Sequence, residues 1–249
     1  MQPIEHGADA GVAVIIPAKD EQDRIAATVK AACQLPGADL VIVVDDGSSD
    51  ATARSAEEAG ARVIRHARNR GKGAAMESGA EAARLLDDGA PRHLLFLDAD
   101  LAGTAGDAAP LIEPVRSGEA DMTIAVFSST VKLGGHGFVV RLSRDGIRRA
   151  TGWTATQPLN GQRCLTRAAF EAALPLAPGF GVETALTIDL LRKGLRVTEV
   201  EVPLAHRATG TDWAAQVHRA RQFRDVARAL AVRDPAVTTR LSRLRRTSR

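Results

Sequence analysis

Leu94-Leu95-Phe96-Leu97-Asp98-Ala99-Asp100 decides how this chain is read. An apolar run of strand length leads straight into two carboxylates two positions apart. Residues two apart on a strand share a face, so both carboxylates are expected to leave the sheet together where the strand ends. Open α/β sheets take their ligands just beyond the carboxyl ends of their strands. Neighbouring carboxylates repel each other unless a cation or a set of donors compensates them. Hard oxygen donors suit Mg²⁺ or Mn²⁺, ions that commonly arrive together with phosphate oxygens. A short Asp-x-Asp is equally good solvated turn chemistry, so its surroundings must decide.

Outward from this stretch, apolar strands alternate with longer helical segments, the pattern of βαβ units. Strands are expected at 12–16 (ended by Pro17), 40–44, 62–65, 94–97, 122–126 and 195–202. Helices are expected at 21–32, with Ile25 and Val29 on one face, and at 51–59, 73–86, 108–116, 139–150, 182–191 and 213–232. Right-handed crossovers then give a mostly parallel central sheet with helices on both faces, a Rossmann-like α/β domain. At 249 residues the chain suits one such domain. We divide it into a nucleotide-binding half (1–105), an acceptor and sugar half (106–210), and a basic C-terminal helix and tail (211–249).

Composition narrows the function classes. No apolar run is long enough to span a bilayer, and the N-terminus lacks signal-peptide character, so a cytoplasmic location is expected. Cys33 and Cys164 have no metal-type spacing and read as buried structural thiols. Charge is asymmetric: from Arg207 onward eleven Lys/Arg face three Asp/Glu. That end could touch an anionic membrane from the inner face, or be a solvated helix and tail. Without a single Tyr, and with 3% aromatics, nucleic acid is the weakest partner.

Three more loops fall at strand ends: Pro17-Ala18-Lys19-Asp20-Glu21, Asp45-Asp46-Gly47-Ser48-Ser49-Asp50 and Asn69-Arg70-Gly71-Lys72-Gly73. The second is good turn and helix-cap chemistry on its own. The third is not a Walker loop, yet a Lys between glycines at a helix start offers a charge and free N–H groups to phosphate.

Together, Val14-Ile15-Ile16-Pro17-Ala18-Lys19-Asp20-Glu21, Val43-Val44-Asp45-Asp46-Gly47-Ser48-Ser49-Asp50-Ala51-Thr52, the Asn69–Gly73 stretch and Leu97–Asp100 resemble the donor-site motifs of family 2 glycosyltransferases with the GT-A fold. The resemblance implies a metal-dependent transferase moving a hexose, glucose foremost, from a nucleotide-sugar, foremost a UDP-sugar. It places Pro17, Ala18 and Glu21 at the nucleoside, and Asp46, with Asp45, at the base or in support of that loop. Lys72 would meet the pyrophosphate. Asp98, with Ala99 beside it, would hold the ribose or the metal shell, and Asp100 would ligate Mg²⁺ or Mn²⁺.

Further on, Pro158-Leu159-Asn160-Gly161-Gln162, Gly179-Phe180-Gly181-Val182-Glu183 and Ala205-His206-Arg207 are similar to motifs of glucosyl-3-phosphoglycerate and mannosylglycerate-type synthases, which retain anomeric configuration. That resemblance puts Asn160, Gly161 and Glu183 on the donor sugar and adds His206 to Asp100 and Asp98 as a metal ligand. Glu183, Asp100 and Lys72 are the expected catalytic set. Phosphoglycerate-using relatives carry Gly-Arg-Val-Thr where this chain reads Gly135-His136-Gly137-Phe138-Val139, which argues against that acceptor. His136, Arg141 and Arg144 are alternative acceptor contacts, the acceptor being small or lipid-linked. Two rival readings stand beside this one. A polyprenyl-phosphate sugar transferase would use Arg219, Arg221, Arg224 and Arg228 at a membrane surface. A non-catalytic nucleotide-sugar-binding regulator would need no acceptor. Against membrane contact, Val217, Phe223, Val226 and Leu230 are expected as core or homodimer contacts.

Overall fold

The computed structural model describes residues 10–127, 137–203 and 213–234, with side chains of the last helix described from Arg221 onward. Seven strands form one sheet: β1 (Val12–Ala18), β2 (Ala38–Asp45), β3 (Arg62–Arg65), β4 (His93–Phe96), β5 (Met122–Phe127), β6 (Arg163–Leu165) and β7 (Val197–Val202). Their order is β3-β2-β1-β4-β6-β5-β7. All pairings are parallel except those of β6, which runs antiparallel to both β4 and β5. The chain winds outward from β1 to β3, then returns to place β4 on the other side of β1. The crevice at the carboxyl ends of β1 and β4 is therefore the topological switch point, where sheets of this kind bind ligands.

The period-two alternation of β1 explains the layers. Val12, Val14 and Ile16 pack on one face with Ile25 and Val29 of α1 (Ile25–Ala32). Ala13 and Ile15 pack on the other with Ala75, Met76 and Ala80 of α3 (Lys72–Leu85). Both faces of the central strands are covered, which is why they read as continuous apolar runs. The remaining helices are α2 (Thr52–Glu58), α4 (Glu113–Arg116), α5 (Gly137–Thr151), α6 (Arg167–Ala172), α7 (Val182–Arg192) and α8 (Trp213–Arg233).

Several expectations are corrected. Pro17 does not end β1: it pairs with Val44 of β2, and the β4 pairing has already stopped at Ile15, so no ladder bond to β4 is lost there. The first helix starts at Ile25: residues 22–24 form turns, in which the Arg24 amide returns to the Glu21 carbonyl while the Gln22 amide is drawn off to Asp50 Oδ2 at 3.2 Å. Ala102–Leu111 is a 3₁₀ segment, leaving only Glu113–Arg116 as α-helix. Cys33 is exposed, since α1 buries its face only up to Ala32; Cys164 is buried, and burial pushes its thiol up to about 12. Asp98 and Asp100 lie beyond β4, in the turn that follows it, so strand alternation does not govern where they point.

Candidate active site

Polar side chains first stitch the strand-end loops to one another. Asp20 donates its amide to Ser48 Oγ at 2.9 Å and accepts from the Ser49 amide at 2.8 Å. Glu21 donates its amide to Thr52 Oγ1 at 2.7 Å. Ala18, buried at the end of β1, accepts the Asp46 amide at 2.8 Å. The Ala99 carbonyl, next to the buried Ala99 side chain, accepts from Thr28 Oγ1 at 2.8 Å, which ties the Asp98–Asp100 turn to α1. Asp45 is buried and accepts from the Ser48 amide at 2.9 Å.

Asp46 is buried and holds the third loop. Its carboxylate accepts from His66 Nδ1 at 2.7 Å and from the amides of Arg70 and Gly71, each at 2.8 Å. His66 Nε2 in turn faces Ser78 Oγ of α3 at 3.0 Å. Burial pushes the Asp46 carboxyl upward, but the bonds from His66, Arg70 and Gly71 outweigh it and hold it below the usual range. Asp46 thus holds the Asn69–Gly71 loop, a partner its expected roles at the base or in its own loop did not include. His66 is part of that support and carried no signal in the sequence.

At the centre, Lys72 Nζ lies 2.7 Å from Asp98 Oδ1 and 2.9 Å from Glu183 Oε1. Burial would lower the Lys72 pKa, but the charges of Asp98 and Glu183 outweigh it and raise it. The ammonium therefore stays charged across any working pH. Residues from α3, the turn after β4 and the first turn of α7 meet here, from more than a hundred positions of sequence. Gly161 makes room for them: a β-carbon there would fall 2.7 Å from Asp98 Oδ1 and still closer to Lys72 Nζ. Gln162, fully buried, donates from Nε2 to Asp98 Oδ2 at 2.7 Å, so both oxygens of Asp98 are engaged. Asn160 is committed inside the protein, donating to the Ala125 carbonyl at 2.7 Å and accepting from the Gln162 amide at 2.9 Å.

Arg163, one residue further, is 0% exposed and braces the whole second half of the site. Its guanidinium donates to the carbonyls of Asn160, Pro158 and Glu183 at 2.8, 3.0 and 3.1 Å, and to Thr187 Oγ1 at 2.9 Å. Burial pulls its pKa down to about 10, so it remains charged near neutrality. Gln162 and Arg163 were passed over as site residues, although a charge inserted before the apolar Cys164-Leu165 pair was a visible signal.

Asp100 sits apart from the Lys72 cluster. Among the described residues its nearest cation is Arg24, whose Nη1 is 3.8 Å away and 3.7 Å from Glu21 Oε2, too long for a strong ion pair with either. Burial, and then the charge of Asp100, hold the Glu21 carboxyl above its ordinary value. Negative charge is thus under-compensated around Glu21 and Asp100, and the donors are hard oxygens, which fits a divalent ion such as Mg²⁺ or Mn²⁺. Among the described residues there is no group of three His, Cys, Asp or Glu placed to hold a metal by themselves. His206 and His136 lie outside the described residues. Arg144 is not free for an acceptor: it donates to the carbonyls of Ala155 and Thr156 at 2.8 and 2.6 Å.

The profile of "Glycosyl transferase family 2" matches residues 13–166, from β1 through β6. The chain belongs to this family. It is 30% identical over 208 residues to glycosyltransferase AglJ of Haloferax volcanii, covering 81% of this chain and 65% of that protein. It is 30% identical over 223 residues to glucosyl-3-phosphoglycerate synthase of Mycobacterium tuberculosis, covering 79% of this chain and 66% of that one. The chain thus spans just under two thirds of the length of these two relatives. A crystal structure of the M. tuberculosis synthase with Mn²⁺, UDP-glucose and phosphoglyceric acid superposes with a TM-score of 0.75 at 26% identity, covering 92% of this chain and 81% of that one. Another, with Mg²⁺ and UDP, gives 0.70 over 92% and 81%. These neighbours bear out the GT-A expectation for the fold. No helix among the described residues is long and apolar enough to cross a membrane.

Proposed function

We propose that this chain transfers glucose from UDP-glucose to an acceptor hydroxyl, with retention of configuration and with Mg²⁺ or Mn²⁺ as cofactor. The observation that carries the reading is the Lys72 ammonium bracketed by Asp98 and Glu183 at the switch point of a family 2 chain. The nucleotide, sugar and ions named in the titles of the neighbouring synthase structures support the choice of donor and metal.

The chain's own residues then divide the work. The 1–105 half takes the nucleotide: the stitched loops at 17–21 and 45–50 form the rim of the nucleoside site. An ammonium has three donors; two of those on Lys72 serve carboxylates, leaving one for a pyrophosphate oxygen. Asp100, whose carboxylate has the loosest protein partner, holds the ion, with His206 as a further ligand from the 106–210 half. The ion, when bound, offsets charge developing on the departing diphosphate. Lys72 would add to that stabilisation, and because its ammonium is fixed in advance by Asp98 and Glu183 it acts more on the transition state than on the bound donor. Glu183, turned toward Lys72 at the start of α7, orients sugar hydroxyls. The altered loop at 135–139 points to an acceptor other than phosphoglycerate.

The test is metal-dependent release of UDP from UDP-glucose with cell extract supplying the acceptor. Turnover confined to another nucleotide-sugar would overturn the donor assignment. Proton NMR of fresh product should show an α-linkage; a β-linkage would recast Glu183 as a base for inversion. Asp100→Ala and His206→Ala should each raise the Mn²⁺ concentration for half-maximal turnover several-fold, with folding intact. Unchanged metal dependence would remove that residue from the shell.

A further inference from the structure

A second cleft lies behind the Lys72–Glu183 pair, and nothing in the proposed reaction uses it. It has a volume of about 730 Å³ and is walled by the Asn69–Gly71 loop, the segment 172–179 and the inner side of α8. That size suits a small metabolite. Neither Lys72, Asp98, Asp100 nor Glu183 lines it.

Its charge is one-sided. Among the described residues, Arg70, Lys193, Arg224, Arg228 and Arg233 line it against only Asp189 and Asp225. Both carboxylates are already committed. Asp189 accepts from Arg233 Nε at 2.8 Å. Asp225 accepts from Arg224 at 3.2 Å and from the Phe180 amide at 3.2 Å. Arg70, Lys193 and Arg228 have no carboxylate partner among the described residues, and they reach the cleft from three different elements. Cations gathered from separate elements around one cavity repel each other unless an anion joins them, and guanidinium groups match phosphate oxygens in pairs.

The cleft also touches both ends of the active-site cluster. Its Arg70 rim is the loop that Asp46 holds and that runs directly into Lys72. Gly73 approaches the opposite wall so closely that a β-carbon would stand 2.6 Å from the Ala177 carbonyl oxygen. Gly179, on that wall, opens the turn Gly179–Gly181 that delivers Glu183.

We propose that this cleft is a second anion site, which takes a phosphate-bearing small molecule on Arg70, Lys193 and Arg228 and modulates the donor site by bracing both loops. Binding there does not depend on the transferase reading, so the first arm of the test stands or falls separately from it. Metal-free, ¹⁵N-labelled protein is titrated with inorganic phosphate and followed by amide NMR. Saturable shifts at Gly71, Gly179 and Gly194 are expected, and they should persist in Lys72→Ala, which disables the donor site. Lys193→Glu with Arg228→Glu should weaken the binding at least about tenfold. Lys193→Gln with Arg228→Gln serves if the double reversal lowers the melting temperature. Shifts lost in Lys72→Ala, shifts kept in both double variants, or linear drift without saturation would each overturn the site. In the second arm, phosphate should change the KM for UDP-glucose in wild type but not in the double variant; an unchanged KM in wild type would overturn modulation.

Discussion

The two halves of the active site are built by different means. Between residues 12 and 100, every functional loop follows a parallel strand, and its polar side chains mostly bind backbone amides of the next loop. Between 158 and 183, the site hangs on a three-residue antiparallel strand and one buried guanidinium. The first half spreads its order over many bonds, each replaceable at modest cost. The second concentrates it in Arg163, whose charge is balanced by carbonyl dipoles rather than by a paired carboxylate. That difference teaches where the molecule is fragile.

The largest effect belongs where the halves meet. Lys72→Met removes the ammonium between the carboxylates of Asp98 and Glu183, and with it the proposed phosphate donor. Its kcat for UDP release should fall by about 10²–10³-fold, the range for loss of a single preorganised charge or donor. A loss confined to KM would show that Lys72 serves only ground-state binding.

Next comes the fragile strut itself. Arg163→Met leaves the buried carbonyls of Asn160 and Pro158 without their donor, at about 1–3 kcal/mol each, while that of Glu183 keeps Thr187 Oγ1; the loss is partly offset because a buried charge is also removed. Urea denaturation should show a net loss of about 3 kcal/mol, with activity declining in step. A stable but inactive variant would instead make Arg163 a local positioner of Glu183. Gly161→Ala probes the same half without touching Arg163. A methyl group pressed against Lys72 Nζ and Asp98 should lower kcat by about tenfold, the effect of a displacement near 1 Å at most, with little change in melting temperature.

The smallest effect should come from the distributed half. Asp46 has its pKa lowered in the fold, so its contribution is fully present above the ordinary carboxylate value of about 3.9. It is lost as pH falls through the lower folded-state value. Melting temperature followed against pH should therefore fall more steeply on the acid side in wild type than in Asp46→Asn. Equal slopes would mean that His66 and the two amides do not favour the charged form. A neutral-pH loss as large as that of Arg163→Met would erase the contrast between the halves.

Much of this was legible in the residues. The alternation of apolar strands and helical stretches located six of the seven strands, because strands buried on both faces must be continuous apolar runs. The strand-end loops were legible because chain order and strand-end position are local properties: Asp45-Asp46 and Asn69–Gly73 must emerge where β2 and β3 stop. Asp98 and Lys72 could be named as partners of one ligand, but their ion pair with each other could not. β6 escaped detection because Arg163-Cys164-Leu165 is too short to show a period and opens on a charge. The packing of α8 against Glu183's turn, through Asp225 and the Phe180 amide, had no local signature either. Periodicity and turn chemistry are written along the chain, whereas a buried guanidinium, a cleft between distant loops and the meeting of Lys72 with Glu183 depend on which elements the sheet order brings together. The sequence by itself therefore determined the layered α/β architecture and the loops at its strand ends. Only tertiary structure decided how the second half closes on them, because those contacts are made between segments a hundred residues apart.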